Sequence, residues 1–380
     1  MNSPLVEEFK RSWVTSVIGF LLLSFGIWLL IWNEGIAVQT AHTLDEAFSN
    51  VISLNPYDRI KPEYEGRLIH ITGELNIEEP LTEPDYGISV QAVKLKRRVQ
   101  MYQWVEETTE RNFGDTVTEQ TETIYSYITE WRDKLVDSNS FYIRTGHHNP
   151  KEIPLKTHTY IAPIVKIGHM AIELELKNLF TDYVEVTSDE RPERRDVKLH
   201  LGIYYHCNDV WNPEVGDIRV QFYYAGHMGD TISIVAQQRQ GTLVPFYTTK
   251  NHKILLLRQG QMSVTEMFRK EHSDSRWQTW KIRALGWFLL FAATNCLARL
   301  IHIILSHLPL LNRMISNEVT TSANVAYSFS VSLTVISVAW ILYRPALGAG
   351  LLMAAISPFM YCAMGVYNGA HNNGNQYNRL

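Results

Sequence analysis

Apolar positions divide the chain before any motif is read. Four stretches of membrane length stand unevenly along it, one near the start and three within the last hundred residues. Crossing a hydrocarbon core of roughly 30 Å takes about 20 apolar residues. The first stretch, 14–32, has no charge, and Trp13, Trp28 and Trp32 sit where interfacial aromatics belong. The others are predicted over 284–305, 325–343 and 346–366, with only the Arg344-Pro345 turn between the last two. The first run is longer than a signal-peptide core and ends in Trp-Asn-Glu-Gly, not a small-x-small site, so it is read as a retained anchor.

Beyond the first span, Ala37, Ala41, Leu44, Phe48 and Val51 recur at spacings of four and three. That stripe predicts a helical stalk continuing the span, ended by Asn55-Pro56 because the residue before proline is pushed out of the helical region. Ser263-Val-Thr-Glu266 is a capping box that starts a second stalk running into the second span. Between the stalks the period changes to two. Val93, Leu95, Val99, Met101 and Val105 alternate with polar residues, as do Ile172, Leu174 and Leu176. Leu199, Leu201, Ile203, Tyr205 and Cys207 form another such face, and Ile218, Val220, Phe222 and Tyr224 a further one. The polar run 108–123, centred on Gly114-Asp115, predicts a hairpin excursion.

The predicted class is an α+β multi-pass membrane protein: four transmembrane helices, with a large β-rich lumenal domain between the first and second. The divisions are a short cytosolic or nucleoplasmic start (1–13), the first span (14–32), the domain with its stalks (33–283), the second span (284–305), a loop (306–324), the third span (325–343), the fourth (346–366) and a polar tail (367–380).

Composition sharpens this division. A mean hydropathy of -0.13 averages two materials. Only six Lys/Arg and three Asp/Glu lie outside 33–283, which leaves 29 basic and 36 acidic residues inside it, a net of -7. That balance argues against nucleic acid as a partner. Lys10, Arg11, Arg299, Arg313 and Arg379 fall on one side if the amino terminus is cytosolic, whereas Arg344 falls opposite. The positive-inside rule therefore predicts cytosolic termini and a lumenal domain. Of three cysteines only Cys207 lies in the domain, so no intradomain disulfide forms and the apolar core must suffice.

Candidate chemistry is sparse. His147-His148 reads as an exposed loop. His200 and His206, taken on one strand, stand roughly 20 Å apart at about 3.3 Å per residue, too far for one zinc. No nucleophile elbow, P-loop, dinucleotide fingerprint or His-Glu-x-x-His occurs. No cofactor, metal site or catalytic residue is predicted. Lys94, Lys96 and Arg98 share a strand face, a candidate interaction face for anionic headgroups or a partner's acids, with Arg97 opposite. Within the spans, Asn295 and Arg299 lie one turn apart, Ser330 and Ser332 add small polar packing surface, and Gly365-x-x-x-Gly369 is a dimerisation pattern.

Taken in order, Asn33-Glu-Gly35, Glu65-Gly-Arg-Leu-Ile-His-Ile71, Ala92-Val-Lys-Leu-Lys-Arg97, Met101-Tyr-Gln-Trp-Val-Glu106, Thr129-Glu-Trp-Arg132, Pro213-Glu-Val-Gly-Asp-Ile-Arg-Val220, Leu243-Val-Pro-Phe246 and Tyr343-Arg-Pro345 resemble the LUMA, or transmembrane protein 43, family. The resemblance spans nearly the whole chain and departs at its two ends. It implies a four-span protein of the endoplasmic reticulum and inner nuclear membrane that self-associates and binds emerin and lamins, without enzymatic activity. The expected function is a non-enzymatic membrane scaffold that organises nuclear-envelope complexes, in contact with membrane lipids. A channel or channel-modulating subunit is the alternative, motivated by Asn295, Arg299 and the serines of the third span.

Overall fold

A computed structural model describes residues 4–59, 61–113, 120–187, 197–306, 320–341 and 345–357. The chain divides into two compact units: residues 50–264 form one, and 1–49 with 265–380 form the other.

The first of these is the β domain. Its strands begin with β1 (Ile52–Leu54), β2 (Leu68–Ile77), β3 (Leu81–Glu83), β4 (Ile88–Val90), β5 (Ala92–Phe113) and β6 (Gln120–Arg132). Then come β7 (His158–Ile161), β8 (Val165–Ile167), β9 (Met170–Ile172), β10 (Val184–Glu185), β11 (Lys198–His200) and β12 (Ile203–His206). The last are β13 (Ile218–His227), β14 (Thr231–Arg239), β15 (Thr242–Val244), β16 (Phe246–Tyr247), β17 (Lys253–Ile254) and β18 (Leu256–Gln259).

One sheet closes on itself. β2 pairs with β8, β8 with β9, β9 with β15, β15 with β14, and β14 returns to β2. All these pairings are antiparallel except β9 with β15. Numbered along the chain, the five strands run 1-2-3-5-4 and back to 1, the order of a small OB-type barrel. A second sheet, β11-β12-β13-β5-β6, is inserted between those barrel strands in sequence. Ile69, Ile71 and Leu75 of β2, Leu95 and Met101 of β5, Val220 and Phe222 of β13, and Ile232 and Ile234 of β14 are all at most 2 % exposed and belong to one core. At Gly226 (φ +68°) an added Cβ would stand 2.5 Å from the Phe180 ring, so this close approach admits only glycine.

Alternation located β5 and β13 correctly, and the polar run 108–123 is carried by the antiparallel β5–β6 pair, with 114–119 outside the described residues. Three expectations are corrected. Leu174 and Leu176 are not strand residues; they belong to the one-turn helix α2 (Leu174–Asn178), which buries Leu176 and leaves Leu174 55 % exposed. Leu, Glu and Lys are good helix formers, and the Lys177 ammonium fastens the turn by donating to Ala162 O and Pro163 O. The run 199–207 is a hairpin, because Leu201 (φ 50°) and Gly202 (φ 74°) take the two left-handed positions of a tight turn. The reversal voids the one-strand distance between His200 and His206; they go instead to Trp211 and Tyr86. The first stalk helix stops at Asn50, short of Asn55-Pro56, because residues 52–54 pair as β1 with β2.

Both ends of the domain meet at one buried histidine. His70 on β2 takes Met262 O at 3.0 Å through Nε2, and Ser53 Oγ lies 3.2 Å from Nδ1. A carbonyl only accepts, so Nε2 carries the proton and Nδ1 accepts from Ser53. Ser233 adds bonds to Gly260 O and from Met262 N, both 2.9 Å. The strand entering the domain and the segment leaving it are thus tied to one residue.

Burial holds the His70 pKa below its ordinary value, against a smaller upward pull from Met262 O. The unfolded chain therefore binds the proton more readily. The stabilisation is complete above about pH 6.5 and is lost as pH falls from there through the folded-state value. His70→Asn is expected to lower stability at pH 8 by about 1–3 kcal/mol, as buried partners lose their bonds, and to flatten the decline below pH 6.5. Thermal unfolding of the full chain across pH 5–8 measures both effects.

Candidate functional site at the helix junction

Two long helices dominate the second unit: α1 (Pro4–Asn50) and α3 (Val264–Ser306). With them are α4 (Thr320–Ile341) and the shorter apolar helix α5 (Pro345–Ser357). Along α1 the buried positions Ser16, Gly19, Gly26, Leu30, Asn33, Ala37, Leu44 and Ala47 fall on a seven-residue repeat. On α3, Gly286, Leu290, Ala293 and Leu297 do the same. A repeat of seven keeps one seam facing a partner helix. Each helix offers glycines to the other's leucines: an added Cβ would come within 2.8 Å of Leu297 at Gly19, 3.2 Å of Leu290 at Gly26 and 2.6 Å of Leu30 at Gly286. Farther along, Asp45 lies 3.5 Å from His272, and the Phe48 and Phe268 rings meet edge to face. Partner numbers on α3 fall steadily as those on α1 rise, so the pair is antiparallel and in register. The expected stripe was close but rotated: Ala37 and Leu44 are buried, while Phe48 is 46 % exposed.

At the middle of this seam sits a charge. Glu34 has no exposed surface, and Arg283 meets it with both arms of its guanidinium, at 2.6 Å (Nε to Oε1) and 2.7 Å (Nη2 to Oε2). The Trp340 indole of α4 donates to Oε2 at 2.8 Å. Asn33 Nδ2 donates to Thr279 O at 3.3 Å and to Glu34 Oε1 at 3.4 Å. Arg283 also lies over the Trp280 ring, 4.9 Å from its centre. A buried carboxylate is tolerable only when its lone pairs are filled, and here a bidentate arginine and two N–H donors fill them. Sequence reading missed this cluster. Its signal is an acid just after the first apolar stretch and a base just before the second.

The predicted membrane residues disperse. Asn295 is exposed and donates to Phe291 O of its own helix at 2.8 Å. Arg299 lies on α3, with its side chain outside the described residues, as are Gly365 and Gly369 entirely. Ser332 is buried and returns its hydroxyl to Ser328 O at 2.9 Å. The buried Ser330 hydroxyl has no partner among the described residues. Ser337 bridges α4 to α5 by donating to Gly348 O at 3.0 Å. These are the short-range bonds of packed helices.

The expected basic face on β5 needs correction. Lys94 is buried, its ammonium donating to Asn178 O (2.9 Å) and Phe180 O (3.1 Å), and burial pulls its pKa down. Lys96 sits over the Tyr183 ring, and only Arg98 reaches out, paired with Asp133 at 2.9 Å. That pairing holds the Asp133 carboxyl below its ordinary pKa. Strand parity was right, but the segment after α2 covers one end of the face. Among the described residues no group of His, Cys, Asp and Glu is arranged to hold a metal.

Among the described residues one helix, Trp13–Asn50, is long and apolar enough to cross a membrane; Ser328–Val338 and Pro345–Ser357 are shorter apolar segments. The outward side of α1 carries Trp13, Phe20, Leu21, Phe25, Trp28 and Ile31, all half exposed or more, while its seam is small and buried. Large apolar groups outside and small ones inside suit a helix solvated by lipid.

Residues 101–345 match the family model described as Transmembrane protein 43. The chain is 43% identical over 363 residues to the transmembrane protein 43 homolog of Drosophila melanogaster, covering 94% of this chain and 96% of that one. It is 33% identical over 339 residues to the transmembrane protein 43 of Homo sapiens, covering 86% and 84% respectively. No solved structure matches significantly.

Removing one partner of a buried pair strands the other charge, so Arg283→Ala is expected to destabilise the helical unit by about 3–5 kcal/mol. Replacing both Glu34 and Arg283 by leucine is expected to cost less than Arg283→Ala alone. Thermal unfolding of the detergent-solubilised variants gives the comparison.

Proposed function

The chain belongs to the transmembrane protein 43 family, and from that premise we propose that it is a non-enzymatic, multi-pass scaffold of the endoplasmic reticulum and inner nuclear membrane. In this reading α1, α3, α4 and α5 supply four spans, the termini face the cytosol or nucleoplasm, and residues 33–283, the β domain with its stalks, are lumenal. One observation carries it. Glu34, Arg283 and Trp340 converge at a single point, and each stands at the end of a different apolar stretch, 14–32, 284–305 or 325–343. Three ends gathered at one level suit helices that cross a slab in alternating directions.

The scaffold role draws support from the way polar groups are used. His70, Lys94, Lys177 and Glu34 all spend their bonding capacity on backbone or neighbouring side chains. Such residues stiffen a surface and leave little free for chemistry. A β domain of this size then offers surface for self-association and for envelope partners, emerin and lamins by family resemblance. The pore alternative gains no comparable support, since Ser328, Ser332 and Thr334 bond within their own helix.

An acceptor sequon inserted at the exposed Lys250 turn is expected to be glycosylated in cells, and one added after Leu380 is not. Crosslinking in isolated nuclear envelopes is expected to give homo-oligomers and heterologous adducts. A protein that is unglycosylated at the first site, or monomeric and absent from the envelope, contradicts the reading.

A further inference from the structure

A cavity of about 1130 Å³ lies beside the Glu34 cluster, its lining extending along α3 from Thr265 to Trp287 and onto α4 and α5. Its two ends differ in chemistry. Toward the start of α3 the wall carries Arg269 and Arg276, seven residues apart and so on the same side of the helix, with Arg283 seven further on. Arg283 is neutralised by Glu34. Asp45, the acid on this wall, is engaged by His272. Arg276 donates to the backbone oxygen of His272 at 3.3 Å, and neither it nor Arg269 has a carboxylate partner among the described residues. Two positive charges therefore remain uncompensated. Toward the other end the wall is Trp287, Leu333 and Leu351, and the buried Trp287 indole N–H has no acceptor among the described residues.

A site that is cationic at one end, apolar at the other and larger than the roughly 300–1,000 Å³ of a drug-sized pocket fits an amphiphile with an anionic head and a long chain. We propose that this groove binds one anionic phospholipid, with its phosphate at Arg276, Arg269 extending the positive field, and an acyl chain against Trp287, Leu333 and Leu351. A lipid is favoured over an acidic helix because the apolar end belongs to the stretches 284–305, 325–343 and 346–366. The inference rests on those stretches being spans, since the apolar end then opens only to the bilayer. Arginine suits the headgroup because its planar fork can take two phosphate oxygens at once.

The test uses the full chain in nanodiscs of phosphatidylcholine doped with phosphatidic acid, with bound lipid read by native mass spectrometry after detergent transfer. Wild type is expected to retain phosphatidic acid in preference to phosphatidylcholine. Arg276→Gln is expected to reduce that retention roughly fivefold, and Arg269→Gln with it further. Lys270→Gln, on the same helix but outside the groove, leaves retention unchanged. Ala41→Trp, which fills the groove, removes both lipids; circular dichroism checks that its helices persist. Equal phosphatidic acid retention by wild type and the double glutamine variant overturns the proposal.

Photo-crosslinking side chains at Leu333 and at the exposed Phe288 separate the remaining outcomes. Lipid adducts at both positions are expected. Adducts to protein at Leu333, from this chain or another, overturn the lipid assignment. Lipid adducts at Phe288 alone sink the groove and spare the spans, whereas none at either position sinks the span reading itself.

Discussion

The Glu34–Arg283 pair is the constraint on which the helical unit depends. Its carboxylate is fully buried, so the interaction is all or nothing: satisfied, it fixes the rotation and register of two helices of 47 and 43 residues; broken, it leaves a charge without water. Glycine–leucine contacts alone would tolerate a slip by one heptad, because the next glycine or alanine could receive the same leucine. A bidentate arginine cannot slip without losing both bonds. Trp340 brings α4 to the same point, so one carboxylate sets the placement of three helices.

The β domain solves a related problem with a neutral group. Its chain enters from α1 and leaves into α3, and both connections converge on His70. Each unit therefore has a single polar residue where its two chain segments meet: an ion pair among helices, and a histidine holding one tautomer among strands. The difference follows from the donors available. Helical backbone groups are already paired, so a side-chain cation must answer Glu34, whereas the carbonyl of Met262, outside any helix or strand, can answer His70.

Much of the architecture was legible in the sequence because hydrophobic period is a direct consequence of burial. The alternation of Val93 to Met101 and of Ile218 to Phe222 located two central strands, and Ser263-Val-Thr-Glu266 located the start of α3. Alternation failed at Leu174 and Leu201, where a helical turn and a left-handed pair interrupt a run whose apolar residues still fall two apart. Lys94 was misplaced for another reason: parity assigns a face, but which part of it is covered is decided by a segment eighty residues away. The Glu34–Arg283 pair was illegible because its partners are 249 positions apart and each resembles an ordinary flanking charge. The barrel closure was equally hidden, since it depends on a two-residue parallel pairing between β9 and β15.

The antiparallel register of α1 on α3 is the claim from which the clamp, the convergence of the apolar stretches' ends and the groove all follow. An added Cβ at Gly19 stands 3.0 Å from Cβ of Cys296, somewhat inside the roughly 3.5–4.5 Å that a disulfide spans, so a small outward shift brings the two sulfurs into bonding reach. With Cys207 and Cys362 replaced by serine, mild oxidation of Gly19→Cys in intact membranes is predicted to join α1 to Cys296 within one chain, detected by peptide mapping, while Phe20→Cys on the outward face stays free. Failure of Gly19→Cys to crosslink, or equal crosslinking of Phe20→Cys, would contradict the register.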